Sequence, residues 1–357
     1  MKILYGVTGE GMGHAMRSRV VLEHLIRAGH EIEIMVSGRA AAFLGKRFEG
    51  VNTIHGFHMI LEENRVRPGK TLWSNVLKGV MGVPTNITAY FDLISAFEPE
   101  VVISDFESWT YYYGRTHRLP ILSIDNMQVI HRCELPAEII EGNQVSFQLT
   151  KAFIEAKLPS CAAYFITSFF RPPPRKDHTY LFPPILRPEI LAAKPSAGEH
   201  LLIYQSGPNA ALQSALAATG VECRIYGMRP GITEELREGQ LRFMPFSEET
   251  FIADLASCRA VIAGGGFTLM GEAVFLHKPM LALPLEGQFE QWLNAKYLER
   301  EGYGMATLTL DDPDVLPRFL ERVPAYAAAL AGYRQTDNSE ILGAVDEFLY
   351  KAATEPR

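Results

Sequence analysis

Near its N-terminus the chain reads Lys2-Ile-Leu-Tyr-Gly-Val-Thr-Gly-Glu-Gly-Met-Gly-His14-Ala-Met-Arg17. A short apolar run is followed by three alternating glycines, a histidine and a helical pattern over 14–28. Such glycines let the backbone turn tightly and leave room for a ligand beside the N-terminus of the next helix. The pattern predicts the first strand, turn and helix of a parallel α/β sheet. His14 would lie at the mouth of the turn, where such sheets bind their ligands.

The spacing of the glycines separates this turn from the common dinucleotide-binding loop. It reads G-x-G-x-G-H rather than G-x-G-x-x-G, and the next predicted strand, residues 31–36, does not end in an acidic residue. An acidic residue there would bind the ribose of NAD. The sequence therefore argues against ordinary NAD binding and leaves the imidazole of His14 as a candidate base.

Length and composition indicate a globular protein of two domains. The chain has 357 residues, of which 47% are hydrophobic, and a domain commonly holds about 150 residues. No apolar run approaches the roughly 20 residues of a membrane-spanning helix, and the N-terminus does not resemble a signal peptide. The four cysteines are scattered without a C-x-x-C pair, which is typical of reduced thiols, so we expect a cytoplasmic protein.

Charge is distributed unevenly along the chain. Residues 1–190 carry 20 Lys and Arg against 19 Asp and Glu, a net charge of +1, and residues 191–357 carry 14 against 22, a net charge of −8. The sequence has no basic stripe with interleaved aromatic residues, so nucleic acid is not an expected partner.

Strand and helix patterns alternate twice along the chain. Near-continuous apolar runs predict parallel strands covered on both faces, at 2–8, 31–36, 51–57, 100–105, 120–124 and 163–168, and again at 200–205, 221–226, 241–244, 260–263, 279–283 and 305–308. In the first helix, Val21, Leu22, Leu25 and Ile26 share one face. The proline-rich residues 171–190 are predicted to form a semi-rigid linker, because proline continues neither helices nor strand ladders. We expect two doubly wound, Rossmann-like α/β domains that face each other across a cleft.

A second glycine turn lies in the C-terminal half. The stretch Ala263-Gly-Gly-Gly-Phe-Thr268-Leu-Met-Gly-Glu272 passes from an apolar strand through three glycines directly into a helix. The unpaired N–H groups and the dipole of a helix N-terminus favour a diphosphate, and Glu272 is suited to accept both hydroxyls of a ribose. Carboxylates and amides that suit sugar hydroxyls follow the next strand: Glu286, Gln288, Glu290 and Gln291. The alternative is a structural glycine turn followed by a solvated helix start.

These blocks resemble the GT-B glycosyltransferases, in particular the MurG-like branch related to the UDP-glycosyltransferases. Gly9–Arg17 resembles their G-x-G-H-x-x-R loop, and Gly264–Glu272 and Pro284–Asn294 resemble their donor-site signature. The resemblance covers almost the whole chain. It implies an N-terminal acceptor domain over 1–185, a C-terminal donor domain over 190–333, and a last helix at about 335–357 that packs back on the first domain.

The resemblance also implies which residues bind the donor, a nucleotide-diphosphate sugar that is most often UDP-linked. Phe246 would contact the base, largely through its backbone, and Ser206 and Gly207 would contact the phosphates. The residues implied to hold the diphosphate, the ribose and the sugar are Gly265, Gly266, Phe267, Thr268, Glu272, Gln288, Glu290 and Gln291, with Asn294 beside them. On the acceptor side the expected residues are Gly11, Gly13, Arg17 and Asp125. The acceptor is an unknown small molecule, lipid or glycan.

His14 is the candidate catalytic base. It would take the proton of an acceptor hydroxyl as that oxygen attacks the anomeric carbon of the sugar, which inverts its configuration. Asp105, at the end of a predicted strand, would hold the imidazole in the required tautomer, with Asp125 as its rival. Two alternatives stay open for His14: a ligand of the substrate or of a phosphate, and a structural histidine.

The absence of one motif also favours inversion. The E-x₇-E pair of many retaining GT-B enzymes is missing, because Met280 stands eight residues after Glu272 and Leu298 eight residues after Glu290. The sequence shows no cluster with metal-ligand spacing, so no metal and no cofactor are expected. The helix dipole and backbone amides would stabilise the leaving diphosphate.

Residues 70–82 have an amphipathic pattern. Apolar residues from Leu72 to Met81 share one face, and Lys70 and Lys78 lie opposite. One interpretation is peripheral contact with a membrane surface. The other is a core-packed helix that lines the acceptor pocket.

Three other functions share the expected fold. A nucleotide-sugar hydrolase would use water as the acceptor, and a nucleotide-sugar 2-epimerase would return a changed nucleotide-sugar. A non-catalytic nucleotide-sugar binder would bind the donor without turnover. Analysis of the products separates these alternatives from a transferase, because fold alone does not fix function.

Overall fold

The computed structural model describes residues 1–9, 11–38, 40–54, 61–62, 65–66 and 92–354. The chain divides into two compact units. The first consists of Met1–Arg187 together with Asp337–Arg357, and the second is Pro188–Thr336. Each unit contains a seven-stranded sheet with helical connections between strands, which confirms the predicted α/β class.

The secondary structure follows the predicted alternation. The strands are β1 (Lys2–Val7), β2 (Glu31–Ser37), β3 (Val51–Ile54), β4 (Leu61–Glu62), β5 (Arg65–Val66), β6 (Val101–Asp105), β7 (Ile121–Asp125), β8 (Ala163–Thr167), β9 (Thr179–Phe182), β10 (Leu201–Tyr204), β11 (Cys223–Tyr226), β12 (Leu236–Glu238), β13 (Leu241–Met244), β14 (Ala260–Ala263), β15 (Met280–Ala282) and β16 (Gly304–Ala306). The helices are α1 (Met12–Arg27), α2 (Ala40–Leu44), α3 (Ser108–Thr116), α4 (Val129–Arg132), α5 (Ala137–Ile140), α6 (Gln144–Lys157), α7 (Pro188–Ala192), α8 (Ala210–Ala218), α9 (Glu248–Ser257), α10 (Phe267–Phe275), α11 (Phe289–Arg300), α12 (Val315–Leu330) and α13 (Ser339–Thr354). Residues 92–97 are also helical.

The first sheet is parallel throughout. Its strand order is β3-β2-β1-β6-β7-β8-β9, and β6 and β7 are buried along their whole length. Such strands are apolar at nearly every position because helices cover both faces of a parallel sheet. The register pairs Val7 with Asp105. The loop after β1 and the carboxylate at the end of β6 therefore leave the sheet side by side.

Helix α1 begins earlier than its pattern predicted. It begins at Met12, directly after the extended Gly11, and ends at Arg27. Of the four residues predicted to share one face, Val21, Leu22 and Leu25 are fully buried, whereas Ile26 is 47% exposed. Each helical residue advances about 100°, so Ile26 lies at the edge of that face.

The proline-rich segment 171–190 is not simply a linker. Its Thr179–Phe182 stretch forms β9, a parallel strand at the edge of the first sheet paired with β8. The prolines lie on either side of this apolar, aromatic stretch, and an edge strand needs only one hydrogen-bonded neighbour. The chain passes into the second unit at Pro188.

The second sheet has the order β12-β13-β11-β10-β14-β15-β16. All neighbouring pairs are parallel except β12 with β13. The sequence did not predict β12, because its residues are exposed and carry no apolar run. The carboxyl ends of β10, β13 and β14 lie at one edge of this sheet.

The C-terminal helix α13 belongs to the first unit. Ile341, Val345 and Leu349 are buried in the same apolar core as β1 and α1. Asn338 fixes the entry to this helix, since its Nδ2 donates to the carbonyl of Leu186 at 2.7 Å and its Oδ1 accepts from the Leu186 N–H at 2.9 Å.

The amphipathic residues 70–82 lie outside the described part of the chain. Among the residues that the structure describes, no helix is both long and apolar enough to cross a membrane.

Candidate functional site

The loop after β1 is held against the end of β2. A Cβ at Gly9 would lie 1.5 Å from the carbonyl oxygen of Ser37, and the Gly9 N–H donates to Ser37 Oγ at 2.9 Å. Gly9 is therefore required by the packing of the loop itself. A Cβ at Gly11 would meet no atom of the described residues within 4 Å.

His14 and Asp105 form the centre of the first site. His14 stands in the first turn of α1, and its Nδ1 lies 2.7 Å from Asp105 Oδ1. The His14 side chain is 17% exposed and that of Asp105 is 1% exposed. A buried carboxylate thus orients a partly exposed imidazole, which is the arrangement expected of a base and its orienting partner.

Asp105 accepts further hydrogen bonds besides that of His14. Its Oδ1 accepts from Arg17 Nη2 at 2.5 Å, and its Oδ2 accepts from Arg17 Nε and from Ser18 Oγ, both at 2.8 Å. Burial raises the pKa of Asp105, but the charges of Arg17 and His14 and the hydrogen bonds from both outweigh burial and lower this pKa to about 2. Asp105 is therefore a carboxylate at neutral pH.

Arg17 and Asp125, both expected on the acceptor side, are buried. Arg17 is 5% exposed, and its Nη1 donates to Asn126 Oδ1 at 2.7 Å. Asp125 is 0% exposed. It accepts from Ser123 Oγ and from the Gln128 N–H, each at 2.8 Å, so its oxygens stabilise the turn after β7. Burial raises the pKa of Asp125. The structure brings Asp105, and not its rival Asp125, to His14.

Two residues at this edge were missed by the sequence reasoning. The ring of Phe106 stacks on that of His14 with the centroids 6.5 Å apart and an interplanar angle of 15°. Phe106 has a φ of 56°, in the left-handed region that bulky residues rarely adopt. Lys157, at the end of α6, is 6% exposed and places Nζ 4.1 Å from the centroid of Phe106. In the sequence, only the position of Phe106 directly after Asp105 could have indicated that it lies at this site.

The second site lies at the carboxyl edge of the second sheet, where β14 turns through glycines into α10. Asn294 Nδ2 donates to the Gly265 carbonyl and to Glu290 Oε1, both at 3.1 Å. Gln291 Oε1 accepts from the Leu285 N–H at 3.1 Å. Hydrogen bonds of Asn294 therefore join the glycine turn to α11.

The other predicted donor residues lie around this edge. Ser206 is exposed after β10, and Gly207 has a φ of 105°, which favours glycine. Phe246 is 63% exposed after β13, and its ring contacts those of Tyr226 and Phe251. Glu272 is 2% exposed in the second turn of α10. The remaining members are Phe267 and Thr268 in the first turn of α10 and Gln288 at the N-cap of α11.

The glycine turn supports a matched pair of substitutions. A Cβ at Gly265 would lie 2.5 Å from the carbonyl oxygen of Gln291, whereas a Cβ at Gly266 would meet nothing within 4 Å in the described part of the chain. We expect Gly265→Ala to lower the free energy of unfolding by about 1–3 kcal/mol, because α11 must move away. Gly266→Ala should change it by no more than about 0.5 kcal/mol. Urea unfolding of both variants measures the difference, and equal stabilities would contradict the close approach of α11.

Comparison with known proteins identifies the class to which the chain belongs. Solved glycosyltransferases of the GT-B class share its fold of two Rossmann-like units. Residues 1–324 match the family model described as "Glycosyl transferase family 1". The chain belongs to this family.

Individual proteins agree with the family match. An uncharacterized glycosyltransferase of Methanosarcina acetivorans is 26% identical over 355 residues, which cover 90% of each chain. The UDP-N-acetylglucosamine–N-acetylmuramyl-(pentapeptide) pyrophosphoryl-undecaprenol N-acetylglucosamine transferase 3 of Bacillus cereus is 32% identical over 120 residues, 30% of this chain and 33% of that protein. The crystal structure of the glycosyltransferase VinC in complex with DTDP matches with a TM-score of 0.62 and 17% identity. That match covers 99% of this chain and 100% of VinC.

Proposed function

We propose that the protein transfers a sugar from a nucleotide-diphosphate sugar to an acceptor hydroxyl and inverts the anomeric configuration. The single observation that carries this proposal is the 2.7 Å contact between Nδ1 of the partly exposed His14 and the buried Asp105. Asp105 is ionised and only accepts hydrogen bonds, so it favours the tautomer in which the His14 nitrogen that faces it carries the proton. The second nitrogen, Nε2, is then free to accept one.

The proposed reaction is a single displacement. The acceptor oxygen forms a bond to the anomeric carbon of the sugar as Nε2 of His14 takes its proton. The bond from that carbon to the diphosphate breaks, and the nucleoside diphosphate leaves with the electron pair. Asp105 keeps the imidazole oriented and stabilises the imidazolium that forms. Attack from the face opposite the leaving group inverts the anomeric carbon.

We assign donor binding to the second unit. The N–H groups at the start of α10 face the glycine turn, and no residue in the first turn of this helix is acidic. They are suited to the charge of a diphosphate in the ground state and in the transition state. We therefore expect activity to survive EDTA. A UDP-linked sugar is the first donor to test, and the DTDP held by VinC makes thymidine donors the second.

Glu272 provides a test of the donor site. We expect Glu272→Ala to weaken UDP binding by about tenfold to a hundredfold, because hydrogen bonds from ribose hydroxyls to a carboxylate contribute about 1.5–3 kcal/mol. Calorimetric titration with UDP measures the affinity, and circular dichroism shows whether the fold is kept. Glu321→Ala, on the exposed side of α12, is the control. Unaltered affinity in Glu272→Ala would refute the ribose assignment.

The function itself is tested in two steps. A thermal-shift panel of UDP, TDP, GDP, ADP and CMP with their sugars identifies the nucleotide, because a ligand of the native state raises the melting temperature. Product analysis with the nucleotide-sugar so identified follows. Transfer to an added hydroxyl compound supports the proposal. Release of free sugar regardless of acceptor, or return of a changed nucleotide-sugar, would replace the transferase by a hydrolase or an epimerase.

A further inference from the structure

The Nδ1 atom of His14 has two charged neighbours, one that can only accept a hydrogen bond from it and one that can only donate a hydrogen bond to it. Asp105 Oδ1 lies 2.7 Å from it, and Arg17 Nη2 lies 2.6 Å from it. A carboxylate only accepts hydrogen bonds and a guanidinium only donates them. If Nδ1 carries the proton, it donates to Asp105. If Nδ1 accepts from Arg17, the proton sits on Nε2, and His14 cannot act as the base.

The remaining contacts of Arg17 decide between these tautomers. Its Nη2 already donates to Asp105 Oδ1 at 2.5 Å, and its Nε donates to Asp105 Oδ2 at 2.8 Å. The carboxylate thus takes the N–H of Nε and one N–H of Nη2, in the bidentate geometry that such pairs favour. Nη2 keeps a second N–H, but donating it to Nδ1 would turn the lone pair of Nδ1 toward the ionised Asp105 Oδ1 at 2.7 Å, where a donor is favoured instead.

The rotation of the Asp105 carboxylate is fixed from the side away from His14. Oδ2 accepts from Ser18 Oγ at 2.8 Å as well as from Arg17 Nε. Arg17 is fixed in turn, since its Nη1 donates to Asn126 Oδ1 at 2.7 Å. Ser18 is 0% exposed and Arg17 5% exposed, so water does not compete for these hydrogen bonds. Oδ1 is the carboxylate oxygen left to face the imidazole.

We propose that Arg17 and Ser18 are positioning residues, which hold the Asp105 carboxylate so that His14 keeps its proton on Nδ1 and its lone pair on Nε2. This inference rests on the proposed role of His14, and it assigns Arg17 to the base rather than to the acceptor. Arg17 acts through Asp105, and its effect is on the tautomer.

The test observes the His14 tautomer directly by ¹⁵N nuclear magnetic resonance of the imidazole nitrogens, with ¹⁵N-histidine in the full-length protein. Loss of signals in His14→Gln identifies His14 among the 10 histidines. We expect the Nδ1–H tautomer of the wild-type protein to exceed the Nε2–H tautomer at least about tenfold, as one charge-assisted hydrogen bond provides. Predominance of the Nε2–H form in the wild-type protein would overturn the inference.

Arg17→Lys tests the role of the guanidinium. A lysine keeps the charge but has one nitrogen, which cannot hold Oδ1, Oδ2 and Asn126 together. We expect the tautomer ratio to fall at least about threefold. Arg19→Lys is the matched control, because Arg19 lies on the same helix and donates through Nε to Glu23 Oε1 at 2.7 Å. An unchanged ratio in a folded Arg17→Lys protein would refute the positioning role.

Ser18→Ala keeps the inference testable if Arg17→Lys does not fold. It removes a single hydrogen bond to Oδ2, and we expect a shift in the same direction of about twofold. Thermal unfolding of each variant shows which proteins are folded, and an unchanged ratio in folded Ser18→Ala would also count against the inference. The tautomer is measured without donor or acceptor. Failure to detect sugar transfer would therefore refute the proposed function. The tautomer assignment is tested separately, by the ¹⁵N measurement alone.

Discussion

Replacing His14 by alanine is expected to lower kcat for sugar transfer by about 10²–10⁴-fold, the usual contribution of a general base. Affinity for UDP should stay the same, because the residues assigned to the donor all belong to the second unit, whereas His14 belongs to the first. Alanine removes the proton acceptor without burying a new charge. Steady-state kinetics measure the rate, and calorimetric titration measures the binding of UDP.

The control for His14→Ala is another histidine on the same helix. His24 Nε2 lies 2.8 Å from Asp346 Oδ1, and both side chains are partly exposed. His24→Ala should keep kcat within about twofold, since exposed ion pairs contribute only about 0–1 kcal/mol. Activity of His14→Ala within a few-fold of the wild-type value would show that His14 is not the base. Weakened UDP binding would indicate instead a ligand of a phosphate.

Asp105→Asn is expected to have the largest effect on stability. The substitution leaves the guanidinium of Arg17 buried without its counter-charge, and removing one partner of a buried pair costs about 3–5 kcal/mol. Urea unfolding at neutral pH measures the loss. Asp346→Asn removes a carboxylate whose side chain is 49% exposed, and it should cost less than about 1 kcal/mol. Equal losses in the two variants would contradict the buried network around Asp105.

The same carboxylate makes stability depend on pH in acid. The pKa of Asp105 is about 2 in the folded protein, against a usual value of 3.8. As the pH falls, the unfolded chain takes up this proton first. The stabilisation is therefore complete above about pH 4 and is lost between about pH 4 and pH 2, a total of about 2 kcal/mol. We expect Asp105→Asn to lack this step. Urea unfolding of the variant and of the wild-type protein between about pH 4 and pH 2 would show it as a difference in how the free energy of unfolding changes with pH.

Much of the fold could be predicted because parallel strands leave a strong signal. The strands at 241–244 and 260–263 have the predicted bounds, since the first is apolar apart from Arg242 and the second is a continuous apolar run. Strand β9 and strand β12 were missed for opposite reasons. The first lies among prolines, which usually mark irregular structure, and the second is an exposed edge strand without an apolar pattern. Edge strands depend on their one neighbour, which a local pattern does not show.

The residues of the candidate site could be predicted only where they lie at the end of a strand. Asp105 could be paired with His14 because Asp105 ends β6 and His14 follows β1, the neighbouring strand of the same sheet. The contact between Lys157 and Thr8 joins residues 149 positions apart, and no local pattern points to it. The burial of Arg17 could not be predicted from the sequence either. Its spacing after His14 suggests a ligand-binding residue, and only the three-dimensional contacts show that Asp105 and Asn126 occupy its nitrogens.

The contact of Asn338 with Leu186 has a consequence for the order in which the protein forms during synthesis. The second unit, Pro188–Thr336, interrupts the first, which is completed only by Asp337–Arg357. All residues of the second unit therefore leave the ribosome before α13 supplies Ile341, Val345 and Leu349 to the core of the first. Domains usually fold from the N-terminal end onward. Here the first unit is the last to be finished, and the hydrogen bonds of Asn338 to Leu186 join its two segments beside the apolar packing of α13.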